Sequence, residues 1–224
     1  MAKDRSARRQ FVTALSLASL ASVGLFCGYA LVNDDVGYDF MIWNLLLAWI
    51  PLLLAYRLTL VLRDKLWSSW EAIIMTLLWV LFLPNSFYMI SDYIHLQDVS
   101  DNRVLYVATM FSSFIFTAML LGLSSLYLVH LEFRKRYSGR ASTGILTVLL
   151  LICSFAIYIG RDLRWNSWDL FLNPSGLIFD MSDRLLQPLT YPQMFVVTGS
   201  FFVLLSAAYY IAWSTVRLLR TTEK

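Results

Sequence analysis

Two short stretches of this chain hold residues able to do acid–base, ion-pairing or metal chemistry. They are Asn85-Ser86-Phe87-Tyr88-Met89-Ile90-Ser91-Asp92-Tyr93-Ile94-His95 and Arg161-Asp162-Leu163-Arg164-Trp165-Asn166-Ser167-Trp168-Asp169. At about 100° per residue, a helix through the first would gather Asn85, Tyr88, Asp92 and His95 within an arc of roughly 80°. The same wheel over the second puts Asp162, Trp165, Asn166 and Asp169 on one face and Arg161, Arg164 and Trp168 on another. Asp92-x-x-His95 is a legitimate ligand pair one turn apart. With Asp162 and Asp169 it would make a mixed nitrogen and oxygen site suited to zinc or manganese. Alternatively, Arg161 or Arg164 bridges to Asp92 or Asp169 in a structural network anchored by the Trp165 and Trp168 indoles. A third chemistry uses Arg161, Arg164 and the two tryptophans against the phosphate or sugar of an organic or lipid-linked substrate. The chain has only two histidines, and no HExxH, His-x-His or cysteine ligand backs the metal. His130 lies beside Glu132 at the opposite end of its span. A divalent metal therefore stays an option, and no cofactor is strongly implied.

The elements that must position these residues are membrane spans. Of 224 residues, 58% are hydrophobic and 15% charged, against about 25% charged in a soluble domain. A bilayer core about 30 Å thick needs roughly 20 apolar helical residues. Six stretches meet or approach that length: residues 11–32, 41–62, 72–90, 104–131, 143–160 and 193–216. The expected fold is all-α, a polytopic helix bundle forming a single membrane domain over 1–224.

Orientation follows from the basic residues. Fourteen of the 18 fall in the N-terminal arm, the gap after span two and its approach, the gap after span four, and the tail, while Arg103, Arg161, Arg164 and Arg184 fall in the other gaps. Ten of the 15 acids lie with these four. Both termini are thus expected in the cytoplasm of a multi-pass protein of the cytoplasmic (inner) membrane, with both chemistry-bearing stretches outside. The basic residues form no stripe interleaved with aromatics, so nucleic-acid binding has no support. Cys27 and Cys153 both sit in apolar segments and read as buried structural thiols. Ala7-Arg8-Arg9-Gln10-Phe11-Val12 looks like a twin-arginine signal, but the following apolar run is longer than a signal core. An uncleaved first span is expected.

Asn173-Pro174 opens a segment with Leu177, Ile178, Met181, Leu185 and Leu189 at helical spacing. Asn as cap and Pro at the first helical position are a start signal, predicting an amphipathic helix over 174–187 in the outer interface. Pro51 and Pro84 each remove a backbone donor inside a span; the freed carbonyls line a cavity or, more commonly, only set packing. Asn85 would sit in the outer hydrocarbon layer, with Asn44 as its expected partner. Ser112, Ser113, Thr117, Ser124 and Ser125 read as helix-packing residues. Glu71 is expected to pair with Arg57, Arg63 or Lys65. No span carries a mid-membrane acid, the usual mark of an ion-coupled transporter. No Walker A or GxSxG motif is visible either.

Trp43-Asn44-Leu45-Leu46-Leu47-Ala48-Trp49-Ile50-Pro51, Leu83-Pro84-Asn85 through His95-Leu96, and Leu163-Arg164-Trp165-Asn166-Ser167-Trp168-Asp169 resemble a bacterial membrane-protein family, domain of unknown function 1361. That resemblance implies an integral membrane protein and supplies no activity, cofactor or catalytic residue. From the residues, the leading expectation is a non-catalytic binding or assembly role in the cell envelope, with partners in the bilayer and a lipid-linked or envelope ligand on the outer face. An extracytoplasmic enzyme on a lipid-linked substrate, metal-assisted or not, is the first alternative. A small-solute transporter is the second.

Overall fold

The computed structural model describes residues 2–165 and 167–222, and among them there is no β-strand. Among the described residues eight α-helices run in chain order: α1 (Ala2–Asn33), α2 (Phe40–Asp64), α3 (Trp70–Tyr88), α4 (Val104–Arg136), α5 (Gly139–Asp162), α6 (Asp169–Leu172), α7 (Pro174–Leu186) and α8 (Pro192–Thr222). A 3-10 segment, Met89–Asp98, extends α3. Six of these helices, α3 counted with its extension, are long and apolar enough to cross a membrane. The helices overrun the apolar stretches because a charged residue ends hydrophobicity without ending helical hydrogen bonding. The long basic side chains of Arg134 and Arg136 are tolerated in the last turn of α4, where they also meet the negative end of the helix dipole.

Helices α2, α3 and α4 pack mutually at the centre, α1 lies on α4, α5 packs on α3, and α8 packs on α5 and touches α4. One core cluster joins Trp79, Leu83 and Phe87 to Leu126, Leu150 and Ile157. Another joins Met41, Met110, Phe111 and Phe114 to Phe26 and Tyr29 of α1. The outward faces keep Leu17, Leu20, Phe116, Val203 and Tyr210 exposed, an apolar surface that a monomeric soluble protein rarely shows. Cys153 is buried as expected, whereas Cys27 is exposed on α1, because its side of that helix faces away from α4.

Close approach of α3 and α4 depends on Gly122. A Cβ there would lie 2.7 Å from the Phe87 ring and 2.8 Å from Ser86 Cβ. With helices lacking a hydrophobic force between them in lipid, small residues and single hydrogen bonds do the pinning. Trp79 Nε1 donates to Ser125 Oγ (2.6 Å), which donates to Pro51 O (3.0 Å), tying α3, α4 and α2. Ser22 and Ser113 hydroxyls meet at 2.7 Å between α1 and α4. Thr117 and Ser124, by contrast, bond carbonyls of their own helix. Glu71 pairs with Lys65 among its three expected partners.

Candidate functional site

Pro84 shapes the approach to the site. α3 continues through it, and the carbonyls of the preceding turn are taken by side chains. Asn85 Nδ2 donates to Phe82 O (3.1 Å) and Ser167 Oγ to Leu81 O (3.2 Å). At Pro51 the hydroxyl of Ser86 likewise reaches Ala48 O at 3.0 Å. Beside both prolines these bonds tie elements together, Ser167 to α3 and Ser86 of α3 to α2.

Beyond Tyr88 the helix tightens to the 3-10 form, in which residues three apart eclipse. Met89 and Asp92 are consequently both buried, at 0% and 1% exposure, with His95 one turn further along the same edge. α5 reaches this edge from the other side. Its apolar run ends at Gly160, and a Cβ there would stand 3.0 Å from the Tyr88 ring and 3.4 Å from the Trp165 carbonyl oxygen. That close contact turns Arg161, the first polar residue after the run, toward Asp92.

Four predicted residues meet. Arg161 Nη1 donates to Asp92 Oδ1 at 3.3 Å and Asn44 Nδ2 to Asp92 Oδ2 at 3.2 Å. Arg161 Nη2 faces His95 Nε2 at 3.4 Å. A guanidinium only donates, so this contact uses the imidazole lone pair and places the ring proton on Nδ1. The Phe40 ring covers the imidazole with centroids 5.1 Å apart. Three separate elements, α2, the 3-10 segment and α5, are thus joined through one buried carboxylate.

The remaining predicted residues go elsewhere. Asn44 serves Asp92 and not Asn85, which instead donates to Ser167 Oγ at 3.0 Å; the 3-10 turn brings Asp92 over α2 where the expected pairing had placed Asn85. Tyr88 packs on Gly160. Trp165 Nε1 donates to Asp180 of α7 at 2.8 Å. Arg164 is exposed and takes a left-handed conformation, φ 59°, as the chain leaves α5. Trp168 caps α6, its carbonyl accepting from Phe171 and Leu172. Asp162 is exposed at the end of α5, and Asp169 begins α6. Asn166 lies outside the described residues. Among the described residues no three His, Cys, Asp or Glu side chains converge as a metal-ligand set.

α7 begins as its sequence signals, with Asn173 Oδ1 accepting from Gly176 N at 3.1 Å and Pro174 at the first position. Its apolar residues divide, however. Leu177 and Met181 pack against Tyr158, Ile159 and Met194, while Ile178, Leu185 and Leu189 stay exposed. The sequence pattern turns Asp180, Asp183, Arg184 and Gln187 away from that apolar face, yet they do not all go to solvent. Asp180 takes the Trp165 indole, and Asp183 accepts from the Tyr191 hydroxyl at 2.9 Å, raising that phenol above its usual pKa. Arg184 lies 3.8 Å over the Tyr191 ring. Ser167, Gly160, Phe40 and Asp180 complete the site and were not singled out from sequence as site residues. Ser167 lies inside the same polar run as Arg161 and Asp169, which was the one signal for it.

A bundle of six long apolar helices whose α5 end is knotted by a buried aspartate–arginine–amide cluster is a multi-pass helical membrane protein. The chain belongs to the family described as protein of unknown function (DUF1361), whose model matches residues 43–207. The match takes in Asn44, Asp92, His95 and Arg161. No curated protein and no solved structure matches the chain.

Proposed function

We propose that this chain is a non-catalytic binding or assembly protein of the bacterial cell envelope, held in the cytoplasmic membrane with both ends inside. The bias of Lys and Arg toward the gaps on the side of the chain ends supports that orientation. The observation that carries the functional reading is the commitment of Asp92. Both its carboxylate oxygens are occupied, by Asn44 and Arg161, and its 1% exposure leaves no face for a reactant. The group holds three elements in register. In the segment after α5, exposed Arg164 and half-buried Trp168 supply a guanidinium and an indole suited to a lipid-linked or other envelope ligand, with α7 lying in the outer interface.

The test compares Asp92→Asn and His95→Ala with the parent in a host lacking the chromosomal gene. Folded protein in the membrane and rescue of the deletion phenotype should fall together. Full abundance with rescue abolished would overturn the reading in favour of an enzyme, and stoichiometric metal lost on His95→Ala would make that enzyme metal-assisted. Thiol labelling of Asp98→Cys and Ser138→Cys in a Cys27→Ser/Cys153→Ala background checks the orientation. Position 98 should label from outside and position 138 only after permeabilisation; labelling of both in intact cells would sink it.

A further inference from the structure

At the end of the bundle that carries both chain ends, α4 and α8 diverge around a cleft of about 490 Å³. Arg134, Arg217 and Arg220 line it, with Tyr127, Trp213 and Leu131 in its wall, and among the described residues no carboxylate lines it. Glu132, one and a half turns from Tyr127, is engaged instead by Lys135 and Arg136. Among the described residues none of the three arginines makes an ion pair. Two of them lie over rings: Arg134 stands 5.9 Å over Trp213 and Arg220 5.8 Å over Tyr127.

The aromatic wall is held from behind. His130, 3% exposed, lies 4.3 Å from the Trp213 ring and is hydrogen-bonded through Nδ1 to the Tyr209 hydroxyl at 2.8 Å. The cleft therefore combines a fixed aromatic and aliphatic wall with three guanidinium groups at the mouth. Planar guanidinium forks match phosphate oxygens in bidentate geometry. Basic pockets between membrane helices on one face are suited to anionic headgroups, and the apolar outer faces of α4 and α8 continue from the cleft into the bilayer.

We propose that this cleft binds the phosphate of an anionic phospholipid headgroup in the leaflet on the side of the chain ends, the acyl chains lying along α4 and α8. The site is remote from the Asp92 cluster and independent of its role. The full-length protein is reconstituted in nanodiscs of equal parts phosphatidylglycerol and phosphatidylcholine, released, and examined by native mass spectrometry. Phosphatidylglycerol should be retained by the parent. Retention should fall about tenfold or more in Arg134→Gln/Arg217→Gln/Arg220→Gln, and by less than about twofold in a control, Arg57→Gln/Arg63→Gln/Arg140→Gln. Equal falls in both triples would reduce the effect to diffuse charge attraction and overturn the site. A second measurement needs no variant: phosphatidylglycerol added to the detergent-purified parent should raise its melting temperature, and phosphatidylcholine should not. Equal stabilisation by inorganic phosphate would identify a free-phosphate site and overturn the lipid assignment.

Discussion

Asp92→Asn, Arg161→Gln and the double substitution form a thermodynamic cycle that measures how strongly the buried cluster holds the bundle. The charged atoms are 3.3 Å apart, and two unit charges at that distance attract by about 5 kcal/mol at an effective dielectric of about 20. Removing the Asp92 carboxylate from water, with its side chain 2% exposed, returns most of that gain. The intact pair thus adds little net stability, but either partner left alone is costly, by about 3–5 kcal/mol for a fully buried charge. Arg161 keeps 23% of its side chain exposed and can turn toward water, so Asp92→Asn should cost about 2–3 kcal/mol. Arg161→Gln strands a carboxylate with no such route and should cost about 3–4 kcal/mol. In the double variant two amides face each other and Asn44 keeps a partner. Its cost should be near 3 kcal/mol, arising from the truncated guanidinium and its lost contact to His95 rather than from the charge pair, leaving a coupling of about 3 kcal/mol, at the upper end for residues in contact. Reversible unfolding in mixed micelles, or steric trapping in bicelles, reads all four corners. Additivity within about 0.5 kcal/mol, or a neutral Asp92→Asn, would refute the reasoning.

The α3–α4 contact makes a paired forecast. Gly122→Ala places a methyl 2.7 Å from the buried Phe87 ring and should cost about 1–3 kcal/mol by overpacking, with Phe87→Leu restoring part of it. Gly144→Ala, with nothing within 4 Å, should be neutral or stabilising by up to about 1 kcal/mol through helix propensity; equal effects at both positions, seen in parallel melts, would discount the packing argument. Arg164 holds φ 59°, a conformation costing a side chain roughly 1–2 kcal/mol. Arg164→Gly should therefore leave the fold as stable or stabler, and a drop in melting temperature would mean that the guanidinium itself holds the loop.

The features legible from sequence were those that a one-dimensional pattern encodes. Apolar run length gave the six spans, and Asn173-Pro174 gave the start of α7, because each depends on neighbours along the chain. The 3-10 tightening after Tyr88 was not legible. Its residues fit an α wheel nearly as well, and the pitch was decided by burial of Met89 and Asp92 against α4 and α2. Pairings across helices were legible only as sets. Asn85 reads as an intramembrane amide in need of a partner and Asn44 as that partner, yet whether Asn44 met Asn85 or Asp92 depended on how α3 ends, 48 residues away in the chain.

The rotation of α5 shows most directly why the competing chemistries could not be separated beforehand. Arg161 and Asp162 are consecutive and so point about 100° apart on a helix. Only one of them can face Asp92 and His95. If Arg161 turns inward the result is an ion pair, whereas Asp162 turned inward would add a third acid or imidazole ligand to the same place. Composition and spacing are identical in the two cases. The choice is made one residue earlier, where Gly160 lets Tyr88 lie against the α5 backbone. That contact fixes the rotation with Arg161 inward and Asp162 exposed. The structural network and the acid-rich ligand set are therefore alternative rotations of one helix, and a residue without a side chain selects between them.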